Sequence, residues 1–340
     1  MIFLRKILFP FALLYGWITQ FRNFLFDKGI LKSYSFDIPI IAVGNLTVGG
    51  TGKTPQIEYL IRLLSEHYSV ATLSRGYKRK SKGFLLAGDK DDATTLGDEP
   101  FQMHLKFPNI QVAVDADRKN GIEKLLSLKT KPEVIVLDDA FQHRKVKAGF
   151  YILLTTYDDL YCDDWMLPTG NLRENRSGAK RADVIIVTKC PASISESDKN
   201  RIRKKLGSDK PLFFSTISYD GSVYSLNSVL SIAEIMSTPK VLVAGIAKPE
   251  PFFKYIQNEN DDIIEFPDHH HFTEKDIEKI KNRAANKCII TTEKDFVRLK
   301  DFIQNKQLFY LPIKTKFLLD SVDFDTIILE YVKMKTANKN

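Results

Sequence analysis

Ile38-Pro-Ile-Ile-Ala-Val-Gly-Asn-Leu-Thr-Val-Gly-Gly-Thr-Gly-Lys-Thr54 is an apolar run that ends in a glycine-rich turn. The residues after it, Gln56 to Leu64, carry Ile57, Leu60, Ile61 and Leu64 at helical spacing. Strand, glycine loop and helix start form the context of a phosphate-cradling loop, in which backbone N–H groups face an anionic polyphosphate. The expected nucleotide contacts are Thr47, Val48, Gly49, Gly50, Thr51, Gly52, Lys53 and Thr54. Lys53 would reach the terminal phosphates and the Thr54 hydroxyl would face Mg²⁺. Thr47 stands where the full pattern has its first glycine, so Gly49 and Gly50 supply the backbone freedom at shifted positions. A flexible surface turn is the plainer alternative, and the flanking strand and helix argue against it.

The chain has 340 residues, 44% hydrophobic and 27% charged, which suits two soluble α/β domains. Its net charge of +8 favours an anionic partner without choosing among nucleotide, nucleic acid and acidic membrane. The three cysteines, Cys162, Cys190 and Cys288, are scattered, so neither a disulfide framework nor a metal cluster is expected.

Residues 1–26 repeat apolar side chains at helical spacing, among them Leu4, Ile7, Leu8, Phe11, Leu14, Ile18 and Phe21. The uninterrupted run from Ile7 to Ile18 is too short to span roughly 30 Å of hydrocarbon. A signal peptide would need a small-residue cleavage site, and a core helix is the structural alternative. Arg5, Lys6 and Arg22 beside an embedded Trp17 favour an interfacial helix.

Further strands are expected at Ser69–Leu73, Asn109–Val114, Glu133–Leu137, Phe150–Thr155 and Asp183–Thr188. Arg75 follows the first of these, where doubly wound sheets bind ligands, as an exposed basic loop or a phosphate contact. Asp98, in Gly97-Asp-Glu-Pro100, is either a helix cap or a base facing a substrate hydroxyl. Asp138 and Asp139 close the Glu133–Leu137 strand as the metal-side element of a phosphate-loop protein. Gln142, His143 and Arg144 extend that site with hydrogen-bond donors. Thr188-Lys189-Cys190-Pro191 lacks the aspartate that reads guanine, which weighs against GTP. Ser218 to Ser237 reads as a linker, and Pro239–Ile246 opens a second αβ unit. The His269-His270-His271 run is not a zinc site, since adjacent residues rarely aim at one ion. Thr292-Glu-Lys-Asp295 is either a helix cap or part of an inter-domain cleft.

These residues describe a P-loop NTPase-type α/β/α sandwich with a second, smaller α/β domain and an N-terminal amphipathic helix. The expected division is 1–30 helix, 31–218 P-loop kinase domain and 219–340 C-terminal α/β domain.

Val43–Thr54, Ser74–Tyr77, Gly97–Pro100, Leu137–Arg144, Leu167–Glu174, Ala244–Ile246 with Pro249, Asp268-His269 and Thr292–Asp295 together resemble the tetraacyldisaccharide 4'-kinase family. The resemblance runs along nearly the whole chain in order, with Ala140 where glycine is more usual and Asn171 where proline is common. It implies transfer of the ATP γ-phosphoryl group to the 4'-hydroxyl of an acylated glucosamine disaccharide phosphate, in lipid A biosynthesis. It further implies ATP and Mg²⁺ as cofactors and peripheral attachment at the cytoplasmic face of the inner membrane. By the same resemblance, Lys53 and Thr54 serve ATP and Mg²⁺, Asp138 and Asp139 organise the metal, and Asp98 with His269 deprotonates the acceptor. Arg75, Arg118, Gln142, His143 and Arg173 would contact phosphates or substrate. No nucleic acid and no obligate protein partner is implied. The competing functional class is a membrane-associated regulatory P-loop NTPase acting on a protein.

Overall fold

The computed structural model describes residues 5, 7–268, 270–303, 306–319 and 321–337. Its first sheet contains β1 (Ile40–Asn45), β2 (Val70–Ser74), β3 (Leu85–Leu86), β4 (Gln111–Val114), β5 (Val134–Asp138), β6 (Phe150–Thr156), β7 (Val184–Thr188), β8 (Leu212–Tyr219) and β15 (Ile313–Phe317). The second contains β9 (Ser222–Tyr224), β10 (Val229–Ser231), β11 (Lys240–Ala244), β12 (Asp262–Glu265), β13 (Cys288–Thr292) and β14 (Leu308–Leu311). The helices are α1 (Phe9–Asp27), α2 (Lys53–Ser65), α3 (Ala93–Leu96), α4 (Asp98–Lys106), α5 (Arg118–Leu126), α6 (Glu196–Leu206), α7 (Ile232–Met236), α8 (Glu250–Ile256), α9 (Glu274–Ala284), α10 (Glu293–Leu299) and α11 (Ser321–Ala337).

The first sheet has the order β15-β8-β7-β6-β1-β5-β2-β4-β3. Its strands from β8 to β4 pair in parallel, with antiparallel strands at the two edges. β1 lies between β5 and β6, and all six of its residues are buried. Burial on both faces explains why it reads as a continuous apolar run. The period of two is still visible in the packing. Ile41 and Val43 join a core with Ile57, Leu60, Ile61 and Leu64 of α2, while Ile40 and Ala42 join the opposite core with Ile122 and Leu125 of α5. Helices on both faces make the α/β/α sandwich.

The second sheet has the order β10-β9-β14-β13-β11-β12, parallel from β14 to β12. The stretch expected as a linker forms the tail of β8, the β9–β10 hairpin and α7. The chain then returns. β15 pairs antiparallel with β8, and α11 buries Phe324, Ile328, Tyr331 and Val332 in the α2-side core of the first sheet. β15 and α11 thus pack with the first unit, although the expected division puts them in the second.

α1 contacts the body along Ala12, Tyr15, Gly16, Thr19 and Asn23, at three- and four-residue spacing. Only Ala12 is fully buried. Among the described residues no helix is long and apolar enough to cross a membrane.

Candidate active site

The phosphate loop leaves β1 at Asn45 and enters α2 through Gly52, which has φ +84°. Gly49 has φ +110°, a backbone region closed to most L side chains. The loop's carbonyl oxygens are engaged from below. Thr188 Oγ1 donates to Thr51 O (2.8 Å) and Lys189 Nζ to Gly50 O (2.6 Å). The peptide units are thereby fixed while the first-turn amides of α2, including Lys53 and Thr54, have no intrahelical acceptor. Orphan amides and the helix dipole together favour an anion here. Lys53 Nζ lies 3.4 Å from Asn45 Oδ1 and 3.5 Å from Asp139 Oδ1.

The paired carboxylates after β5 have opposite surroundings. Asp138 is buried, and its Oδ1 has no partner among the described residues. Burial, aided by the Glu99 charge, pushes its carboxyl up to about 7. Asp139 turns away with φ +47° and accepts from Arg173 Nη1 (2.9 Å) and Nη2 (2.8 Å). Burial opposes its ionisation, but Arg173 and Lys53 override that and hold it down to about 2. Arg173 also donates to Asn45 Oδ1 and O, so one guanidinium joins the strand end to the carboxylate.

A magnesium ion fits these donors. Asp138 Oδ1 is a buried acceptor lacking a cation, and Thr54 opens the adjoining helix. No three His, Cys, Asp or Glu side chains converge as a metal cage among the described residues. Mg²⁺ accepts that arrangement, because it is ordinarily held by few protein ligands plus phosphate oxygens and water.

Asp98 begins α4, after Gly97 with φ +94°. A side chain on Gly97 would come 3.0 Å from Tyr77 O, and one on Gly76 2.9 Å from Leu96 O. These close approaches set Asp98 against the Arg75–Tyr77 loop. The Asp98 carboxylate is ion-paired with Arg298 of α10, from the second unit. Arg298 also donates to His270 O (3.3 Å) and lies 3.7 Å from Asp295. Asp295 accepts from Gly245 N (2.8 Å), which gathers the β11, β12 and β13 exits at this point. His269 lies outside the described residues. His270 itself is within 3.0 Å of Asp276 Oδ2 and stacks on Phe266.

The other expected contacts fall into three settings. Arg75 is exposed beside the site. Arg118 is 3% exposed and donates to Asp115 O (2.6 Å) and Asp138 O (3.0 Å), tying the ends of β4 and β5 together. Gln142 donates to Asn45 O and Glu174 Oε1, and burial holds the His143 imidazole down to about 4, hence neutral at pH 7. Thr47 bridges to Leu172, and Val48 N donates to Asn171 O (2.8 Å), so the 167–174 loop braces the phosphate loop.

Several supports are absent from the sequence-derived site. Glu174 is 1% exposed and holds Arg181 (2.7 Å), Gln142 (2.9 Å) and Asn23 of α1 (3.0 Å). Its sequence signal is its place at the end of the Leu167–Glu174 segment, beside Arg173. Lys106 joins Glu58 of α2 (2.7 Å) to Glu293 of α10, a buried ionic link between the two units. Thr292 caps α10 by accepting from Asp295 N, so that motif is both a helix cap and part of the inter-unit contact.

The comparisons with known proteins cover the same elements. The family model described as tetraacyldisaccharide-1-P 4'-kinase matches residues 4–333. A tetraacyldisaccharide 4'-kinase of Flavobacterium johnsoniae is 64% identical, covering 97% of this chain and 98% of its own length. That of Bacteroides thetaiotaomicron is 44% identical, covering 99% and 96%. Among solved structures, LpxK of Aquifex aeolicus in complex with ATP superposes with a TM-score of 0.81 at 32% identity, over 97% of this chain and 99% of that one. The phosphate loop, the paired aspartates and the second αβ unit therefore stand in a fold shared from end to end, and the chain belongs to the tetraacyldisaccharide 4'-kinase family.

Proposed function

We propose that the chain transfers the γ-phosphoryl group of ATP to the 4'-hydroxyl of a tetraacyldisaccharide 1-phosphate, with the acceptor sugar against Asp98. The kinase activity and its use of ATP with Mg²⁺ follow from the family. The residue roles rest on one observation. Lys53, the free Asp138 oxygen and the α2 N-terminus meet at one end of the first sheet, where Asp98 is held by the second unit.

Phosphoryl transfer asks the protein for positioning and charge neutralisation more than for covalent chemistry. Lys53 binds the terminal phosphates, and Asp139 with Arg173 holds Lys53 and Asn45 in place for it. Thr54 and Asp138 would hold Mg²⁺, with Asp139 closing its side, and the ion would neutralise charge on the β- and γ-oxygens. Asp98 accepts the proton of the 4'-hydroxyl, oriented by Arg298, in a role the resemblance shares with His269. Arg75, exposed next to Asp98, suits a phosphate of the lipid or nucleotide. The regulatory-NTPase reading has no comparable support, because the family relationship covers both units of the chain.

The apolar side of α1 supports peripheral attachment to a membrane, on the cytoplasmic face of the inner membrane where ATP is supplied. No nucleic acid and no obligate protein partner enters this reading. The test is label transfer from ATP to a detergent-dispersed acylated disaccharide 1-phosphate, with Mg²⁺ present. Lys53→Ala and Asp98→Ala are each expected to lose on the order of 10²–10⁴ in turnover with the fold retained. Wild-type turnover by Lys53→Ala would overturn the site.

A further inference from the structure

The chain has two tryptophans, and both are largely exposed: Trp17 at 79% and Trp165 at 57%. Trp17 belongs to α1. Trp165 stands 148 positions later (165 − 17), in a turn with no helical or strand pattern of its own. That turn is built firmly. Asp164 accepts from the backbone N–H of Trp165 (2.8 Å) and of Asn171 (3.1 Å). Leu172 N donates to Trp165 O (2.9 Å) and Gly170 N to Met166 O (2.9 Å). A side chain on Gly170 would come 2.2 Å from Trp165 O, so only glycine closes it. The indole is therefore held outward by a satisfied backbone, and its exposure is not slack in a loose loop.

The turn and α1 form one unit. Arg5 donates to Pro168 O (3.2 Å) and Gly170 O (2.7 Å), and the Phe9 and Trp165 rings meet edge-on at 5.6 Å. Met166 packs at Gly16, where a Cβ would be 3.5 Å from its Cγ. At about 100° per residue, Phe9 and Gly16 lie on one side of the helix, with Leu13 and then Trp17 next around it. Exposed apolar surface thus continues from Phe21 and Trp17 across Leu13 and Phe9 to Trp165. A contiguous patch of this kind marks an interaction site rather than scattered surface residues.

The charges around it choose the partner. The one carboxylate of α1, Asp27, is ion-paired with Arg144 (2.6 Å). Asp163 is paired with Lys205 (2.7 Å), Asp164 is spent on backbone amides, and Asp158 and Asp159 lie exposed just before the turn. Arg22, Lys28 and Arg176 are left exposed around the apolar surface. Exposed cations and indoles on an apolar face are the chemistry of an anionic lipid interface.

We propose that the 163–172 turn is a second lipid-contacting element, seating the Trp165 indole in the interface of an anionic bilayer beside the apolar side of α1. This rests on the reading of α1 as a membrane-surface helix. Two anchors separated in sequence fix the angle of the protein on the membrane, where one helix would leave it free to roll. They therefore help to set how an acylated substrate is presented to the Arg173 and Glu174 side of the site, which immediately follows the turn.

The two tryptophans make the test direct. Trp17→Phe leaves Trp165 as the sole tryptophan, and Trp165→Phe leaves Trp17, each excited selectively over tyrosine. Each full-length protein is mixed with vesicles of phosphatidylethanolamine and phosphatidylglycerol carrying lipid brominated near the headgroup. The expected result is a blue shift and quenching of Trp165 emission, abolished with phosphatidylcholine-only vesicles at high salt. Quenching of Trp17 with Trp165 unchanged would overturn this inference and leave the α1 reading standing. No quenching of either residue would sink both.

Discussion

The two terminal helices, α1 and α11, look alike in sequence and have opposite fates. Both are rich in aliphatic and aromatic residues, and each places a tyrosine hydroxyl on backbone of the first unit. Tyr331 of α11 bonds both N and O of Ile40, where β1 begins (3.1 Å each). Tyr15 of α1 donates to the carbonyl of Arg173 (3.0 Å). Yet α11 buries Phe324, Ile328 and Val332 completely, while α1 leaves Phe11, Leu14, Trp17, Ile18 and Phe21 more than half exposed. The same hydrophobic drive that completes a core at one end of the chain is left unspent at the other. An apolar helix face left in water costs stability unless something covers it, which is why a lipid surface is the cover proposed for α1.

The sharpest way to break the comparison is to truncate matched side chains. Ile328→Ala is expected to cost about 3 kcal/mol in chemical unfolding, by lost burial plus the cavity left behind. Ile18→Ala should stay within about 0.5 kcal/mol, because its site is already wet. Equal losses would mean that α1 packs on the body in solution. The tyrosines give a smaller version of the same contrast. Tyr331→Phe leaves the buried amide of Ile40 short of an acceptor and should cost about 1–2 kcal/mol. Tyr15→Phe should barely move the unfolding midpoint and should instead lower kcat/KM severalfold on vesicle-borne substrate, since it loosens the helix from Arg173. A stability loss at Tyr15 matching that at Tyr331 would refute the division of labour.

The difference between the helices also marks where sequence reading stops. β1, β5 and α2 were legible because each carries its own signal: an apolar run, a strand tip with paired acids, a helical stripe after glycine. Lys53, Asp138 and Asp139 were expected at one sheet end from their motifs, whereas Arg173, expected by resemblance as a phosphate or substrate contact, is found holding Asp139 and Asn45. The return of β15 and α11 had no such local signal. Ile313, Thr315 and Phe317 alternate like any strand, and pairing with β8 rather than β14 is decided by non-local packing. Long-range side-chain contacts were the least legible. Arg298 and Asp98 are 200 positions apart, and Lys189 reaches Gly50 from 139 away. Arg118 shows the complementary limit: the resemblance alone offered it as a phosphate contact, and no local sequence signal shows that its guanidinium is buried and donates to two carbonyl oxygens.

The smallest expected effect separates the helices by pH. Asp325 of α11 accepts from Tyr59 of α2 (2.7 Å), and burial raises its carboxyl above the usual 3.8. Between 3.8 and that raised value the unfolded chain has released the proton while the folded chain retains it. The folded state binds more protons there, so this group's contribution to stability is full below 3.8 and falls as pH rises through the raised value. Asp325→Asn removes the titration and should flatten that part of the curve. Because Asp325 is only partly buried, the change should be small, a fraction of the Ile328→Ala effect. Thermal unfolding followed from pH 4 upward for both proteins would detect it. A curve unchanged by Asp325→Asn would mean that the Tyr59 contact is too wet to hold the proton, leaving the aliphatic face of α11 as the whole of its advantage over α1.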